Sequence, residues 1–380
     1  MLLAAAVSLS ALYWLALAGL ALRSFLAVPT LSSLPDPKRT NWPTLSIVIP
    51  ARDEGAHVRE ALRAKLSDGY PELQVVLVDD RSTDDTGAQA QSLNDPRLTV
   101  TRVDTLPEGW LGKVNALQQG LQVARGEWIL FSDADVHLAP GTLSRLISWA
   151  EDEGVDSIAA VPQIIAGGPV INVALGTFFH FIVTFPRLWA VERPESKAAI
   201  GIGAFNLFRR SALEKSEGLQ WLKMEIADDA ALGILLKQSG ARQRVVVAQE
   251  AVSLEFYPSY QAMARALEKN GAMAPAGLIL VGLVLMLVFE LGYMGAIFSV
   301  DPRVQLIGMI SWMIAAGTQF GICRWLRLPR WPSIVPGLGM VPLAVALARS
   351  AMLAWRRGGV TWRGTFYPTP VVRAGARIKP

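Results

Sequence analysis

The chain has 380 residues, enough for one large domain or two smaller ones with a sizeable core. Hydrophobic residues make up 52% and charged residues 18%, against about 25% charged in soluble proteins, and the apolar residues are bunched, which points to membrane segments. The net charge of +4 gathers around the apolar runs with no aromatic-interleaved basic patch, and the single cysteine is Cys323; a membrane partner is therefore expected, with no nucleic acid, no disulfide framework and no thiolate metal site.

Residues 1–28 are almost wholly apolar, with Arg23 near the end and Lys38 and Arg39 beyond it. About 20 apolar residues span a bilayer, and no charge precedes the run as a cleavable signal would need. The expectation is an uncleaved anchor with its N-terminus outside and the following domain cytoplasmic. Residues 29–43, with Pro35, Pro37 and Pro43, read as a linker. Apolar strand patterns at Leu45–Ile49, Leu73–Val78, Leu98–Val103 and Trp128–Phe131 then alternate with helical ones at Glu54–Leu66, Asp84–Leu93, Lys113–Ala124 and Pro140–Trp149. That alternation predicts an α/β domain over 44–255 built on a Rossmann-like, mostly parallel sheet, which binds ligands at the carboxyl ends of its strands.

Val170–Phe185 clusters four phenylalanines and reads either as an interfacial helix or as a buried core helix. Residues 256–271 predict an interfacial helix, and 272–357 the C-terminal membrane helices. Within the latter, Met273–Val300 and Val304–Cys323 form a hairpin, and the three arginines of Arg324–Arg330 belong on the cytoplasmic side. Ile334–Trp355 contains Pro336, Gly337, Pro342 and Arg349 and fits a re-entrant or interfacial element better than a full crossing. Residues 358–380 then form a cytoplasmic tail. The three histidines share no ligand spacing and read as surface or packing residues.

Five polar motifs fall where strands end or helices begin. Pro50-Ala51-Arg52-Asp53-Glu54 offers backbone and carboxylate groups to a nucleobase, or is a turn whose acids cap a helix. Asp79-Asp80-Arg81-Ser82-Thr83-Asp84-Asp85 includes a capping-box spacing at Ser82 and Asp85. That leaves Asp79 and Asp80 unexplained, and two buried acids demand a partner such as a uracil N–H or a ribose hydroxyl. Gly112-Lys113-Val114-Asn115 puts a lysine against the helix dipole, a conflict that a docked diphosphate removes, or carries a plain solvated lysine. Asp133-Ala134-Asp135 sets two hard oxygen ligands at a strand end, suited to Mg²⁺ or Mn²⁺ on a diphosphate. Asp228-Asp229 opens a helix, either as acids favoured by the dipole or as a general base. The glycines of Gly201-Ile202-Gly203 allow close backbone approach beneath a substrate, or simply a tight loop.

Taken in order over residues 45–269, these motifs resemble the family 2 glycosyltransferases, inverting enzymes with the GT-A fold. The Pro107-to-Lys113 run and the membrane layout look closest to members that glycosylate lipids, such as hopanoid-associated, carotenoid and ceramide glucosyltransferase-like enzymes. The resemblance implies that Pro50, Ala51, Glu54, Asp79 and Asp80 hold the nucleoside, that Lys113, Asp133 and Asp228 seat the donor, and that Asp135 with Asp133 binds Mg²⁺ or Mn²⁺. It makes Asp229 the base. The Gln-x-x-Arg-Trp motif of processive synthases is absent; Gln261-Ala262-Met263-Ala264-Arg265 has no tryptophan, which favours single transfer. The expected partners are a nucleotide-sugar donor (a UDP-sugar), a lipid acceptor and the bilayer, in a multi-pass protein of the inner membrane. A polyprenyl-phosphate acceptor is the nearest alternative. A haloacid-dehalogenase-type phosphatase with Asp133 as nucleophile, and a nucleotide-sugar-binding protein without activity, are the rivals from other classes.

Overall fold

The computed structural model describes residues 2–378; Met1, at the start of the expected anchor, and Lys379 and Pro380, at the end of the expected tail, lie outside the described residues. Helix α1 (Leu2–Ala27) buries one stripe, Val7, Trp14, Leu17 and Ala21, and leaves its other faces open. There follow β1 (Leu45–Ala51), α2 (Val58–Leu66), β2 (Leu73–Asp80), α3 (Thr86–Gln91), β3 (Leu98–Val103), α4 (Gly112–Val123), β4 (Trp128–Phe131), β5 (His137–Leu138) and α5 (Thr142–Glu153). The chain continues through β6 (Ser157–Val161), β7 (Gln163–Ile165), α6 (Pro169–Thr184), β8 (Asn206–Arg209), α7 (Arg210–Glu214), α8 (Asp228–Gln238), β9 (Gln243–Val247) and β10 (Val252–Glu255). It closes with α9 (Tyr260–Ala266), α10 (Ala276–Leu291), α11 (Pro302–Trp325), α12 (Met340–Arg357), β11 (Gly359–Trp362), β12 (Thr365–Pro368) and α13 (Thr369–Gly375).

The central sheet has seven strands in the order β3-β2-β1-β4-β8-β6-β9. Every neighbouring pair is parallel except those made by β8, which runs antiparallel between β4 and β6. Because side chains alternate along a strand, β1 and β2 send Ile47, Ile49, Val75 and Leu77 into one core and Val48, Val76 and Val78 into the other. Both faces are thus covered, as a parallel sheet requires, and helix α4 lies on the second. A small sheet, β5-β10-β7, was not legible in sequence because its strands are only two to four residues long.

Helices α2, α3 and α5 start two to four residues later than their patterns predict, and for the first two the cause is visible. The segment before α2 turns instead of coiling because Asp53 adopts φ 55° and its carboxylate accepts from the Thr83 amide at 2.7 Å. Before α3, the Asp84 carboxylate accepts from the amides of Gly55 (2.9 Å) and Thr86 (3.0 Å), so the helix begins at Thr86.

Among the described residues, four helices are long and apolar enough to cross a membrane: α1, Pro169–Ala190, Ala276–Phe298 and α11. The second is tied at both ends to the α/β domain or its side of the bundle. Gly167 lies against Pro258, Ser24 donates to the Val183 carbonyl at 2.8 Å, and Lys237 donates to the Val191 carbonyl at 2.6 Å. Helix α6 is packed among α1, α11 and α12, with Phe178 and Phe185 left outward, so of its two readings the structure has the buried helix. His180 is fully buried and pairs with Glu290 at 2.8 Å, which also bonds Tyr13, joining α6, α10 and α1 through polar groups inside the bundle. Residues 331–357 likewise leave and return on the domain side. Arg327, before them, stands 3.9 Å from Glu250, and β11, after them, reaches the domain's cleft.

Candidate active site

Loops at the carboxyl ends of β1, β2 and β4 open onto a cavity of about 570 Å³. Pro50, Ala51, Arg52, Glu54, Asp80, Lys113, Asp133 and Asp135 line one side, and Tyr257, Arg265, Lys269 and Trp362 the other. A narrow recess of about 10 Å³ adjoins it and holds Asp228, Asp229 and Gly203. The recess and the cavity share Pro50, Lys113 and Asp133. Of the ten residues to which the resemblance gives a donor, metal or base role, nine line the cavity or the recess and Asp79 lines neither.

Asp79 and Asp80 are adjacent on a strand and so face opposite ways. The Asp80 carboxylate, nearly buried, meets the Arg81 guanidinium in a two-pronged pair at 2.8 and 3.0 Å on the cavity wall. Asp79 turns away, accepting from the Ser82 amide at 3.1 Å and from Arg102 at 2.8 Å. The charge cost that called for a ligand is met here by two arginines. The capping box does not form: the Ser82 hydroxyl accepts from the Asp53 amide at 3.0 Å, and the Thr86 hydroxyl from the Glu54 amide at 2.8 Å. The second loop therefore braces the first.

Lys113, at the start of α4, reaches the Asp133 carboxylate at 2.8 Å and stands 3.7 Å from Asp228. Burial opposes its charge, but Asp133, Asp228 and Asp229 outweigh that and raise its pKa. Burial would lift the Asp133 carboxyl; the Lys113 ammonium instead holds it below its usual range. Asp135 has no such partner. Burial, with the negative charges of Asp133 and Glu54, pushes it up to about 6. Asp228 also rises to about 6, through burial first, with Lys113 opposing and Asp229 adding. Asp229 accepts from the Gly203 amide and the Ala230 amide, both at 2.8 Å, which orients its carboxylate. A methyl group at Gly203 would lie 3.1 Å from Asp133, 3.3 Å from Asp229 and 3.3 Å from Lys113, so these three groups converge on one spot that only glycine leaves open.

One supporting residue escaped the sequence reading. Lys65 is fully buried beneath the Asp133–Asp135 turn and donates to the carbonyls of Asp133 (3.3 Å) and Val136. Burial lowers its pKa to about 7, against the pull of Asp135 and Asp133. The signal was present: Lys65 occupies the apolar stripe of α2 with Val58, Ala61 and Leu62.

These residues fit a divalent ion bridging a diphosphate. Asp135 is a hard-oxygen donor beside the negative charges of Asp133 and Glu54, and no group of three or more potential protein ligands occurs among the described residues. An ion that keeps water and phosphate oxygens as its other ligands takes only one or two carboxylates.

Residues 46–216, just under half of the chain, match the family Glycosyl transferase family 2. A GalNAc(5)-diNAcBac-PP-undecaprenol beta-1,3-glucosyltransferase from Campylobacter jejuni is 30% identical over 112 residues, covering 29% of this chain and 35% of that one. A 4,4'-diaponeurosporenoate glycosyltransferase from Staphylococcus aureus is 32% identical over 122 residues, 32% of each chain. The chain spans about a third to a half of the length of the curated relatives it matches. Among solved structures, a mannosyltransferase from Pyrobaculum calidifontis in complex with GDP-Man and Mn²⁺ aligns over 99% of this chain and 97% of its own, with a TM-score of 0.52 and 20% identity. Residues 46–216 are therefore similar to Glycosyl transferase family 2, and the chain has the GT-A fold.

Proposed function

We propose that the protein transfers a single sugar from a nucleoside-diphosphate sugar, a UDP-sugar by preference, to the hydroxyl of a membrane lipid, with inversion at the anomeric carbon. One observation carries the reading: Asp133, Asp229 and Lys113, from three separate elements, meet at Gly203 beside a cavity whose far wall is the α9 region that leads into the membrane helices. The Campylobacter and Staphylococcus relatives, which by their names act on a polyprenyl-linked and a carotenoid acceptor, support a lipid.

Pro50, Ala51, Glu54 and Asp80 frame the nucleoside end of the cavity; Asp79 acts indirectly, by holding Arg102 and the Ser82 turn. Asp135 with Asp133 would hold Mg²⁺ or Mn²⁺, which would supply neutralisation of charge on the leaving diphosphate. Lys113 fixes Asp133 and Asp228 and presents its ammonium to the same charge. Asp229, oriented by the Gly203 amide, takes the proton of the acceptor hydroxyl as the single displacement proceeds. Arg265 and Lys269 on the membrane side of the cavity would meet the phosphate of a polyprenyl-phosphate acceptor, the second reading. In the arrangement proposed, α1, α10 and α11 cross the inner membrane, residues 44–255 lie in the cytoplasm, and 256–271 rest at the interface. Mass spectrometry of membrane lipids from cells with and without the gene tests this: a lipid gaining one sugar mass only when the gene is present is expected. Unchanged lipids, with label passing only to water-soluble acceptors in vitro, would overturn it.

A further inference from the structure

The tail does not trail into solvent. Strands β11 and β12 pair antiparallel and project from the end of α12 over the cavity, where Trp362 and Arg363 form part of its wall. The hairpin touches each of the first three motif loops. Arg363 donates to the Arg52 carbonyl at 2.9 Å and to the Glu54 carboxylate at 2.9 Å. Thr365 accepts from Arg81 at 3.4 Å, and the Tyr367 hydroxyl accepts from the Gly112 amide at 3.2 Å. Lys269 lies 4.4 Å from the Trp362 ring and pins the hairpin from the other side.

Its tip is built at a conformational cost. Arg363 and Gly364 both have positive φ, 45° and 75°, as a two-residue hairpin turn requires. Asparagine suits the first position; a long, charged residue there is held by what it touches. Asp53 (φ 55°) and Arg81 (φ 57°), in the two loops that the hairpin touches through Arg52 and Arg81, lie in the same left-handed region. Three of the six such non-glycine residues among the described residues thus sit where the hairpin meets the first two motif loops, and such strain gathers where ligands are clamped.

We propose that this hairpin is a clamp on the donor and that Arg363 is a diphosphate-binding residue, released from Glu54 when a nucleoside diphosphate enters. The proposal rests on the donor reading above and adds a residue that none of the five motifs contains. A guanidinium that gives one N–H to a carboxylate and another to a carbonyl, as Arg363 does, can exchange both for phosphate oxygens gripped in a two-pronged geometry. Because the hairpin springs directly from α12, the clamp is rooted in the same element that packs on the membrane-side helices, where Arg349 binds Glu268 at 2.7 Å.

The test uses the full-length protein in detergent with UDP and GDP, each with MnCl₂, measured by calorimetry. For whichever diphosphate the wild type binds, Arg363→Gln is expected to weaken binding about tenfold to a hundredfold, with Arg363→Lys in between. The matching monophosphate should lose less than about threefold, since it lacks the second phosphate. Bound diphosphate should also slow tryptic cleavage after Arg363 in the wild type, a readout independent of any variant's folding. Arg363→Gln binding the diphosphate within about twofold of wild type, with a matching melting temperature, would overturn the clamp and leave the transferase reading intact. A wild type that binds neither diphosphate would overturn both.

Discussion

Replacing Lys113 by methionine removes the cation at the centre of the recess and keeps its bulk. The ammonium lies 2.8 Å from Asp133 and 3.7 Å from Asp228, and each gross attraction is on the order of 5 kcal/mol at an effective dielectric constant of about 20. Burying the lysine offsets most of that. Breaking a fully buried pair costs about 3–5 kcal/mol, but the Lys113 and Asp133 side chains keep 21% and 35% of their exposure, and Asp228, already raised to about 6, escapes by taking a proton. A loss of about 2 kcal/mol is expected, read as a lower melting temperature in detergent. Adding Asp133→Asn to Lys113→Met should restore at least half of it, because the orphaned charge is then gone; a double-mutant cycle isolates that coupling. Nucleoside-diphosphate affinity should fall roughly tenfold in the single variant. Lys113→Met melting within about 0.5 kcal/mol of wild type, with no coupling to Asp133→Asn, would refute the reasoning.

Asp79→Asn should cost about 1–2 kcal/mol of stability through Arg102 and the Ser82 turn while leaving nucleotide affinity unchanged, whereas Asp80→Asn should lower that affinity; titration calorimetry beside thermal melting separates them. Asp68 is pushed up to about 6, chiefly by burial, so the folded chain binds more protons than the unfolded one between about pH 4 and 6. Its share of stability, at most about 3 kcal/mol, is therefore present below pH 4 and lost as pH rises through 6, and Asp68→Asn should flatten that slope in melting curves. Asp135 must be deprotonated to bind a cation, so Mn²⁺-dependent nucleotide binding should weaken about tenfold per unit as pH falls below about 6. A methyl group at Gly201 would stand 1.8 Å from the Asp229 carbonyl; Gly201→Ala should therefore reduce transfer far more than nucleotide affinity, as steady-state rates and calorimetry would record.

The sheet was readable because β1 and β2 are apolar on both faces, a pattern that only a covered parallel strand needs. The same pattern placed the motif loops at one end of the sheet, so the gathering of Asp80, Asp133 and Asp135 on one wall followed from local sequence. What was lost depended on facing and on distance. Asp79 and Asp80 form one acidic pair in the sequence, but strand alternation turns them to opposite sides, where Arg102 and Arg81 meet them. Val170–Phe185 stayed open between two readings because apolarity alone does not separate a helix facing lipid from one facing other helices. The hairpin at Arg363 meets Glu54 across 309 positions of sequence, and nothing local to either residue announces that contact.

The most direct measurement is transfer of labelled sugar into the lipid phase by wild type and Asp229→Asn, in membranes supplied with Mn²⁺ and UDP- or GDP-sugars. Wild type should label a lipid. Asp229→Asn should transfer at least about a thousandfold more slowly while binding nucleoside diphosphate within about twofold of wild type. An Asp229→Asn protein that transfers at the wild-type rate would contradict the account.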